Sequence, residues 1–366
     1  MAVRWLEGFD HYGTTPNGGR DAMLAGAWAE FGASSDIPFI SSAQSRTSGF
    51  SLSVPADKFS TNTRGFARRQ LGASLSQFGF GAAIYLTQLP VSNGGVGIRF
   101  ADGTNAATIT LAYQSDGTIQ VYRGSGGAQS GTLLATSGQV LTALAWNHVE
   151  VFINHHGSAG GVEVRVNGVT VINLTGVDTG ATPSATVRIG GINTGTGGIT
   201  NRDIPLHYWD DLTCWDTTGP RNNTFLGPQK VVLNKLAADT TVADWTVTGA
   251  ASGAAAISEI PPNGDTSYIS AVTPGEVSEF TVEPLDENVV AITAIYLPAM
   301  MRQSQPGSTW VQQGLVSGTD VALGLDRPIT EAYTYWADVI EVDPDTGAPW
   351  TREAYNASLR RFTKTI

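Results

Sequence analysis

The sequence predicts an all-β fold, with two β-sandwich (jelly-roll) domains in tandem and a short C-terminal helix. Composition indicates the class: 43 of the 366 residues are glycine and only 14% are charged, whereas helical proteins need far more Glu, Lys and Leu. Short runs in which apolar and polar residues alternate recur along the chain, with turn residues between them. One segment rich in Gly, Pro, Asn and Thr divides these runs into two groups.

The clearest strands lie between residues 146 and 216. Residues 149–154 and 162–169 alternate valine or isoleucine with other residues, as half-buried antiparallel strands do. Asn167 and Gly168 lie between two of these runs, and this pair tolerates positive φ at both central positions of a turn. The sequence therefore predicts a tight hairpin here.

The rest of the first group contains more short strands and a second hairpin. Its turn is the Ser-Asp-Gly at residues 115–117. The further predicted strands are residues 5–9, 78–86, 96–100, 108–113 and 119–122. About ten short strands with turns between them fit a sandwich.

The dividing segment is DTTGPRNNTFLGPQK, residues 216–230. We therefore predict a first β-sandwich in residues 1–216, a linker in residues 217–230 and a second sandwich-like domain in residues 231–366. The strands predicted for the second domain are residues 230–236, 245–247, 267–271, 277–282, 289–297, 310–317 and 332–342.

The C-terminal helix is predicted over residues 351–362. Tyr355, Leu359 and Phe362 fall on one face at helical spacing. Thr351 can cap the first turn.

Charge argues against two classes of partner. The net charge is −11, with −3 on residues 1–219 and −8 on residues 220–366. Such a surface repels nucleic acid backbones and anionic membranes, so we expect no nucleic acid partner. No apolar run approaches the roughly 20 residues that span a bilayer, and the N-terminal residues lack a signal-peptide pattern. We therefore expect no membrane insertion, and synthesis in a cytoplasm without export by that route.

The order of motifs in residues 146–216 resembles the concanavalin A-like, laminin-G-like superfamily. The resemblance is carried by Trp146, His148, Val166, Asn167, Gly168, Ile189, Gly190, Gly191, Asp210, Asp211 and Asp216. It covers most of residues 1–216 and implies a jelly roll. It also implies that the strand containing the two aspartates pairs beside the first strand of the domain.

A second resemblance concerns the end of the chain. The segment EVDPDTGAPWTREAYNASL, residues 341–359, is similar to a segment that closes a β-rich domain in large virion proteins of tailed bacteriophages and gene transfer particles. The matching residues are Asp343, Pro344, Thr346, Gly347, Trp350 and Thr351. The opening RWLEGFDHYG and the phrase GDTSYISAV, residues 264–272, add to it. The resemblance implies a virion location, with assembly in the cytoplasm of a bacterial host; the lone Cys214 agrees with it, because disulfides do not form in a reducing cytoplasm.

Asp210 and Asp211 are the candidate acid/base or metal-binding pair. Carboxylates suit both roles, but neighbouring strand residues point to opposite faces, so the two cannot reach one ligand without a bulge. We therefore expect one aspartate to bond loop backbone and the other to be exposed. Glycosidases of the superfamily would also need a Glu-x-Asp-x-x-Glu strand, which this sequence lacks, so we expect no catalytic residue.

No metal or cofactor is expected. His155 and His156 have no third histidine or cysteine at ligand spacing. The glycine-rich loops precede no helix that could orient N–H groups towards a phosphate. The only concentration of basic residues is Arg46 with the cluster Arg64, Arg68 and Arg69. These residues either pair with an acidic surface of a neighbouring subunit or lie in a solvated loop.

Several aromatic residues could form an exposed platform for sugar rings or a contact with a partner. The candidates are Tyr12, Trp28, Tyr85, Tyr122 and Trp209. Aromatic faces stack on the apolar faces of sugars, although most aromatic residues of an all-β chain are core or interface residues.

Three functions remain open. The first is a non-catalytic structural component of a bacteriophage-type virion, a decoration, fibre, spike or tail-attached protein that assembles as a homo-oligomer with other virion proteins. The second is a carbohydrate-binding receptor for host surface polysaccharide. The third is a polysaccharide-degrading enzyme. Sequence favours the first, with adhesion to glycans as a companion role and no enzymatic activity.

Overall fold

A computed structural model describes residues 2–14, 20–24, 26, 28–32, 37–47, 49–56, 65–90, 95–124, 131–192 and 204–366. The fold is all-β, built from antiparallel sheets, as predicted. The strands up to residue 216 are β1 (Val3–Glu7), β2 (Trp28–Phe31), β3 (Phe39–Ser41), β4 (Ser51–Val54), β5 (Phe66–Leu75), β6 (Gln77–Leu86), β7 (Val96–Ala101), β8 (Ala107–Tyr113), β9 (Ile119–Arg123), β10 (Thr132–Thr136), β11 (Trp146–Asn154), β12 (Gly160–Val166), β13 (Val169–Val177), β14 (Ser184–Gly191) and β15 (His207–Asp216). A 3-10 turn (Asp10–Tyr12) and the short helix α1 (Arg20–Leu24) lie between β1 and β2.

These strands form a jelly-roll sandwich of two sheets. The eight-stranded sheet has the order β13-β12-β11-β6-β15-β4-β3, with β1 also paired to β15. The seven-stranded sheet has the order β10-β9-β8-β7-β14-β5-β2. The pairing of β1 with β15, at Val3–Trp215 and Leu6–Thr213, confirms the closing strand that the superfamily resemblance implies.

The core lies between the two sheets. Phe78 and Phe80 of the eight-stranded sheet meet Phe100 of the seven-stranded sheet, with ring centroids 5.2 and 5.7 Å apart. Val149, Val151 and Ile153 are fully buried beside them. The alternation that predicted strands in this part of the sequence is therefore the alternation between core and outer face.

Both predicted hairpins are present. Asn167 and Gly168 adopt φ of 51° and 83° and join β12 to β13 at the Val166–Val169 pair. Gly117, with φ 80°, lies in the turn between β8 and β9. Each turn needs positive φ, which these residues tolerate at low cost.

A buried ion pair crosses this core. The Arg69 Nη1 donates to Glu7 Oε2 at 2.6 Å, and the two side chains are 2% and 1% exposed. The Tyr12 hydroxyl and the Trp28 indole N–H also donate to Glu7, while Arg69 Nη2 donates to the Tyr296 hydroxyl at 3.0 Å. A buried pair offsets its desolvation only when further hydrogen bonds satisfy both groups, and these contacts supply them.

The rest of the chain forms one larger sheet and two ribbons. Its strands are β16 (Leu236–Ala243), β17 (Thr246–Thr248), β18 (Tyr268–Ser270), β19 (Val277–Val282), β20 (Ile295–Met301), β21 (Thr309–Ser317), β22 (Asp320–Leu323), β23 (Arg327–Ile329), β24 (Thr334–Ile340) and β25 (Leu359–Lys364), and its helices are α2 (Gly253–Ile257) and α3 (Arg352–Asn356). The sheet has the order β16-β19-β25-β21-β22, with β23 on β21, and the ribbons pair β17 with β18 and β20 with β24.

Two predicted strands begin later than their sequences indicate. The runs at residues 230–236 and 289–297 become strands only from Leu236 and Ile295. Val231 instead packs with Val3 and Leu6 of β1. Its apolar side chain is half-buried against the first sandwich, so the run does not need to pair as a strand to remove it from solvent.

The C-terminal helix is present but short. Thr351 Oγ1 accepts the Ala354 N–H at 3.0 Å, as predicted for the cap. The helix ends at Asn356, and Phe362 lies in β25, between β19 and β21. Two free strand edges satisfy the backbone of residues 359–364 on both sides, which overrides the helical spacing of the apolar residues.

The two parts of the chain make specific polar contacts. The Glu341 carboxylate accepts the backbone N–H groups of Ala2 and Val3 at 2.9 and 3.1 Å. It also accepts the Asn222 side-chain amide at 3.0 Å. These bonds and the Arg69–Tyr296 bond attach residues 217–366 to the sandwich. No helix in the described ranges is long and apolar enough to cross a membrane.

Candidate functional site

Four aromatic side chains lie in one row across the outer face of the eight-stranded sheet. Cross-strand pairing places Trp146 beside Tyr85 and Tyr85 beside Tyr208. Ser53 follows Tyr208, and Phe39 follows Ser53 at the sheet edge. We call Phe39, Tyr208, Tyr85 and Trp146 the aromatic row.

Strand alternation directs these rings away from the core. Tyr85 lies between Ile84 and Leu86, which are fully buried in the core. Phe39 precedes Ile40, which is 1% exposed, so Phe39 faces outward. Adjacent strands lie about 4.8 Å apart, so the row crosses five strands and spans roughly 19 Å.

Three of the four rings are partly open to solvent, Tyr208 is buried, and Tyr85 contacts both Trp146 and Tyr208. Phe39 is 38% exposed and Tyr208 is 6% exposed, while Tyr85 and Trp146 are half-buried. The Tyr85 ring centroid lies 5.7 Å from that of Trp146 and 6.2 Å from that of Tyr208, with interplanar angles of 58° and 67°. Rings with an apolar face and a polar edge can contact sugar rings and hydrogen-bond their hydroxyl groups.

The start of β11 fixes the position of Trp146. The side chain of Asn147 accepts the Thr142 N–H at 3.0 Å and donates to the carbonyl oxygens of Thr142 and Ala145. His148 follows on the same face as Trp146 and is 2% exposed. Burial lowers the pKa of His148 to about 3, with a smaller contribution from Arg46, so the imidazole is neutral at neutral pH.

Only one of the five predicted platform residues lies in the aromatic row. It is Tyr85. Tyr122 is half-buried on the outer face of the other sheet, where its hydroxyl donates to Gln120. Tyr12, Trp28 and Trp209 are 3%, 2% and 0% exposed, which corrects the expectation that they form an exposed platform.

Sequence reasoning missed Tyr208, Trp146 and Phe39. The reason for Tyr208 is a β-bulge after Asp210, where Asp211 adopts a φ of 51°. Trp209 and Leu212 both point into the core although they are three residues apart. Alternation counted through the bulge therefore assigns Trp209 and Tyr208 to the wrong faces.

The same bulge brings Asp210 and Asp211 together. Both are buried, at 1% and 0% exposure, which corrects the expectation that one is exposed. Arg46 connects them: its backbone N–H donates to Asp210 Oδ2 at 2.9 Å and its Nη1 donates to Asp211 Oδ2 at 2.6 Å. Asp211 Oδ1 also accepts the Val231 N–H at 2.6 Å. The pair thus holds the loop at residue 46, β15 and the segment after it in place.

The predicted basic residues also pair within the chain. Arg46 binds Asp211, Arg68 binds Glu30 and Arg69 binds Glu7. These contacts replace the expected pairing with a neighbouring subunit. Arg64 lies outside the described residues.

Comparisons with known proteins show similarity at the level of the fold. No known family model matches the sequence, and no curated protein matches it. Among solved structures, an endo-β-1,4-glucuronan lyase from the fungus Trichoderma reesei has a TM-score of 0.41 at 14% identity, over 51% of this chain and 90% of that one. An alginate lyase has a TM-score of 0.40 at 18% identity, over 57% and 95%. Domain 4 of an extracellular arabinanase from Geobacillus stearothermophilus has a TM-score of 0.38 at 15% identity, over 59% and 92%.

These findings contradict two expectations from the sequence. The named structures are polysaccharide lyases and a domain of an arabinanase. They contradict the prediction of a non-catalytic structural component of a bacteriophage-type virion and the prediction that the chain is not an enzyme. The all-β jelly-roll prediction is confirmed.

Proposed function

We propose that this protein is a carbohydrate-active protein that binds polysaccharide through the aromatic row. The observation that carries the proposal is the register of Phe39, Tyr208, Tyr85 and Trp146 on one outer sheet face. Core residues of a sandwich alternate with polar outer residues. A row of outward aromatic rings differs from this pattern, and exposed apolar patches mark binding sites.

The geometry favours a polymer over a single sugar. The row spans roughly 19 Å, which is longer than one sugar ring. Its four rings come from four hydrogen-bonded strands of one sheet, so little conformational entropy is lost when a ligand binds. The Tyr85 and Tyr208 hydroxyl groups add polar partners at the edges of the apolar surface.

Binding to immobilised polysaccharides tests the proposal. The names of the similar structures supply the panel, namely glucuronan, alginate and arabinan, to which a neutral glucan is added. We expect saturable binding to at least one polymer and a loss of about tenfold for Trp146→Ala or Tyr85→Ala, because each removes one stacking ring. Tyr268→Ala, at a 37% exposed tyrosine of β18, is the matched control.

The same mixtures are assayed for new chain ends, because the comparisons overturned the expectation of no enzymatic activity. Release of oligosaccharides would add catalysis to binding at this site. Wild-type binding by Trp146→Ala and Tyr85→Ala, or no binding to any polymer, would refute the proposal.

A further inference from the structure

Three arginines lie side by side on the outer face of the seven-stranded sheet. Arg188 of β14 pairs directly with Arg68 of β5 on one side and with Arg99 of β7 on the other. The line continues to Thr110 of β8 and Tyr122 of β9. We call Arg68, Arg188 and Arg99 the arginine row.

Alternation places the arginine row opposite the core. Ile189, Ala67 and Ile98, each adjacent in sequence to one of these arginines, belong to the buried core. The guanidinium groups therefore face away from it. Arg99 and Arg188 are 6% and 9% exposed, and the side chain of Arg68 is 21% exposed.

Like charges directly opposite on a sheet destabilise it. Glu30 at the end of the line pairs with Arg68 at 2.9 Å. Arg188 donates from Nε to the Gly191 carbonyl oxygen at 2.7 Å and lies over the Phe66 ring at 3.4 Å. These contacts orient the first two groups of the row.

Arg99 is the least neutralised group of the row. Its Nη2 donates to the Asn105 carbonyl oxygen at 2.8 Å, and its Nε has no hydrogen-bond partner among the described residues. Burial and the neighbouring charge of Arg68 both lower its pKa. A buried donor without an acceptor costs stability, so the fold keeps this arrangement at an energetic cost that an anionic ligand would offset.

We infer that the arginine row binds the carboxylate groups of an acidic polysaccharide. Guanidinium groups bind carboxylates through two parallel hydrogen bonds, and the row places Arg68 and Arg99 on either side of Arg188. The choice of a saccharide rests on the proposed function; the choice of an anion rests on the row itself. A nucleic acid is disfavoured because the whole chain carries −11, which opposes a long polyphosphate.

Pectate and methyl-esterified pectin test this inference, because the two polymers share a backbone and differ in carboxylate charge. We expect the wild-type protein to bind pectate at least tenfold more tightly than the ester. In Arg99→Gln and Arg68→Gln the affinity for pectate falls by about 10- to 100-fold, as for loss of a hydrogen bond to a charged group, and binding to the ester is unchanged.

Arg302→Gln is the matched control, because it removes the same charge from a partly exposed arginine outside the sandwich. Arg68 is the more exposed member of the row, so its variant keeps the test valid if Arg99→Gln does not fold. Equal binding of pectate and ester, equal losses in Arg302→Gln, or tighter binding of a single-stranded DNA than of pectate would each overturn the inference.

The two proposals fail in distinguishable ways. Trp146→Ala weakens binding to neutral polymers and leaves the ratio of pectate to ester binding unchanged. If the aromatic row binds no glycan, that ratio still reports on the arginine row. If the arginine row binds no carboxylate, the loss in Trp146→Ala still stands.

Discussion

Asp210 is a buried carboxyl group with a second carboxylate beside it. Burial and the charge of Asp211 raise the pKa of Asp210 to about 8, and Asp10 contributes in the same direction. Hydrogen bonds from the backbone N–H groups of Arg46 and Asp211 lower this pKa, but by less. The Arg46 guanidinium pairs with Asp211, whereas Asp210 accepts the backbone N–H groups of Arg46 and Asp211.

The raised pKa predicts a pH dependence of stability. Above about pH 4 the unfolded chain has lost the Asp210 proton, while the folded chain keeps it up to about pH 8. The folded state therefore binds more protons in this window, and the free energy of unfolding falls as the pH rises through it. Asp210→Asn cannot titrate, so we expect the decrease between about pH 5 and pH 8 to shrink by about 3–4 kcal/mol.

Urea unfolding at both pH values measures the effect. Asp178→Asn, at an exposed carboxylate paired with Arg123, is the control and should leave the pH dependence as it is in the wild type. An equal decrease in Asp210→Asn and in the wild type would contradict the assignment.

At the residue scale, the sequence could predict side-chain direction only where strands are regular. In β11 the burial of Val149, Val151 and Ile153 follows the pattern directly. In β15 the bulge at Asp211 reverses the phase, so Trp209 and Tyr208 exchange faces relative to a regular count. A bulge depends on what the strand packs against, here the loop of Arg46, which the local sequence does not encode.

At the scale of the strand, Gly79 of β6 allows the eight-stranded sheet to accommodate an indole. A Cβ at this position would lie 2.0 Å from the ring of Trp215 on the neighbouring strand. We expect Gly79→Ala to lower the free energy of unfolding by about 1–3 kcal/mol, the usual cost of overpacking. Thermal unfolding of the variant measures this loss.

Gly138→Ala is the control, because nothing lies within 4 Å of a Cβ there. A Gly79→Ala protein as stable as the control would show that Trp215 can move at little cost.

Elements with local determinants were predictable, and those with distant partners were not. Asn167-Gly168 sets its own hairpin, and Thr351 caps its own helix. Phe362 fits a helical face by spacing but joins β25, because β19 and β21 offer strand edges. Those edges come from residues about 50 and 80 positions earlier, which no local pattern reveals.

At the scale of the whole molecule, Glu341 connects the sandwich to the rest of the chain. Its carboxylate accepts the Ala2 and Val3 amides and the Asn222 side chain. We expect the wild type to unfold in a single calorimetric transition and Glu341→Ala to unfold in two, because hydrogen bonds to a charged group contribute about 1.5–3 kcal/mol each. Glu331→Ala, at an exposed position, should keep the single transition.

The outcome that would contradict this coupling is a single transition in Glu341→Ala at the wild-type temperature. Limited proteolysis within residues 217–230 gives a second measurement, since a loosened interface exposes this segment.

Function was harder to predict from the sequence than the fold class. Composition and alternation predicted the fold class correctly, because both are averages over many residues. The aromatic row and the arginine row depend on which strands are neighbours in a sheet, for example Arg68, Arg188 and Arg99, which are spread over 120 residues of sequence. The order of strands in a sheet cannot be deduced from a single sequence.

The contact between the first backbone amides and Glu341 also bears on synthesis. Ala2 leaves the ribosome 339 residues before its acceptor, an interval of roughly half a minute at ordinary translation rates. During that time the Ala2 and Val3 N–H groups lack their hydrogen-bond acceptor, the Glu341 carboxylate. The amides at the start of β1 thus gain this acceptor only after β24 has been made, and a nascent chain that stalls before residue 341 presents two N–H groups without it to chaperones and to other strands.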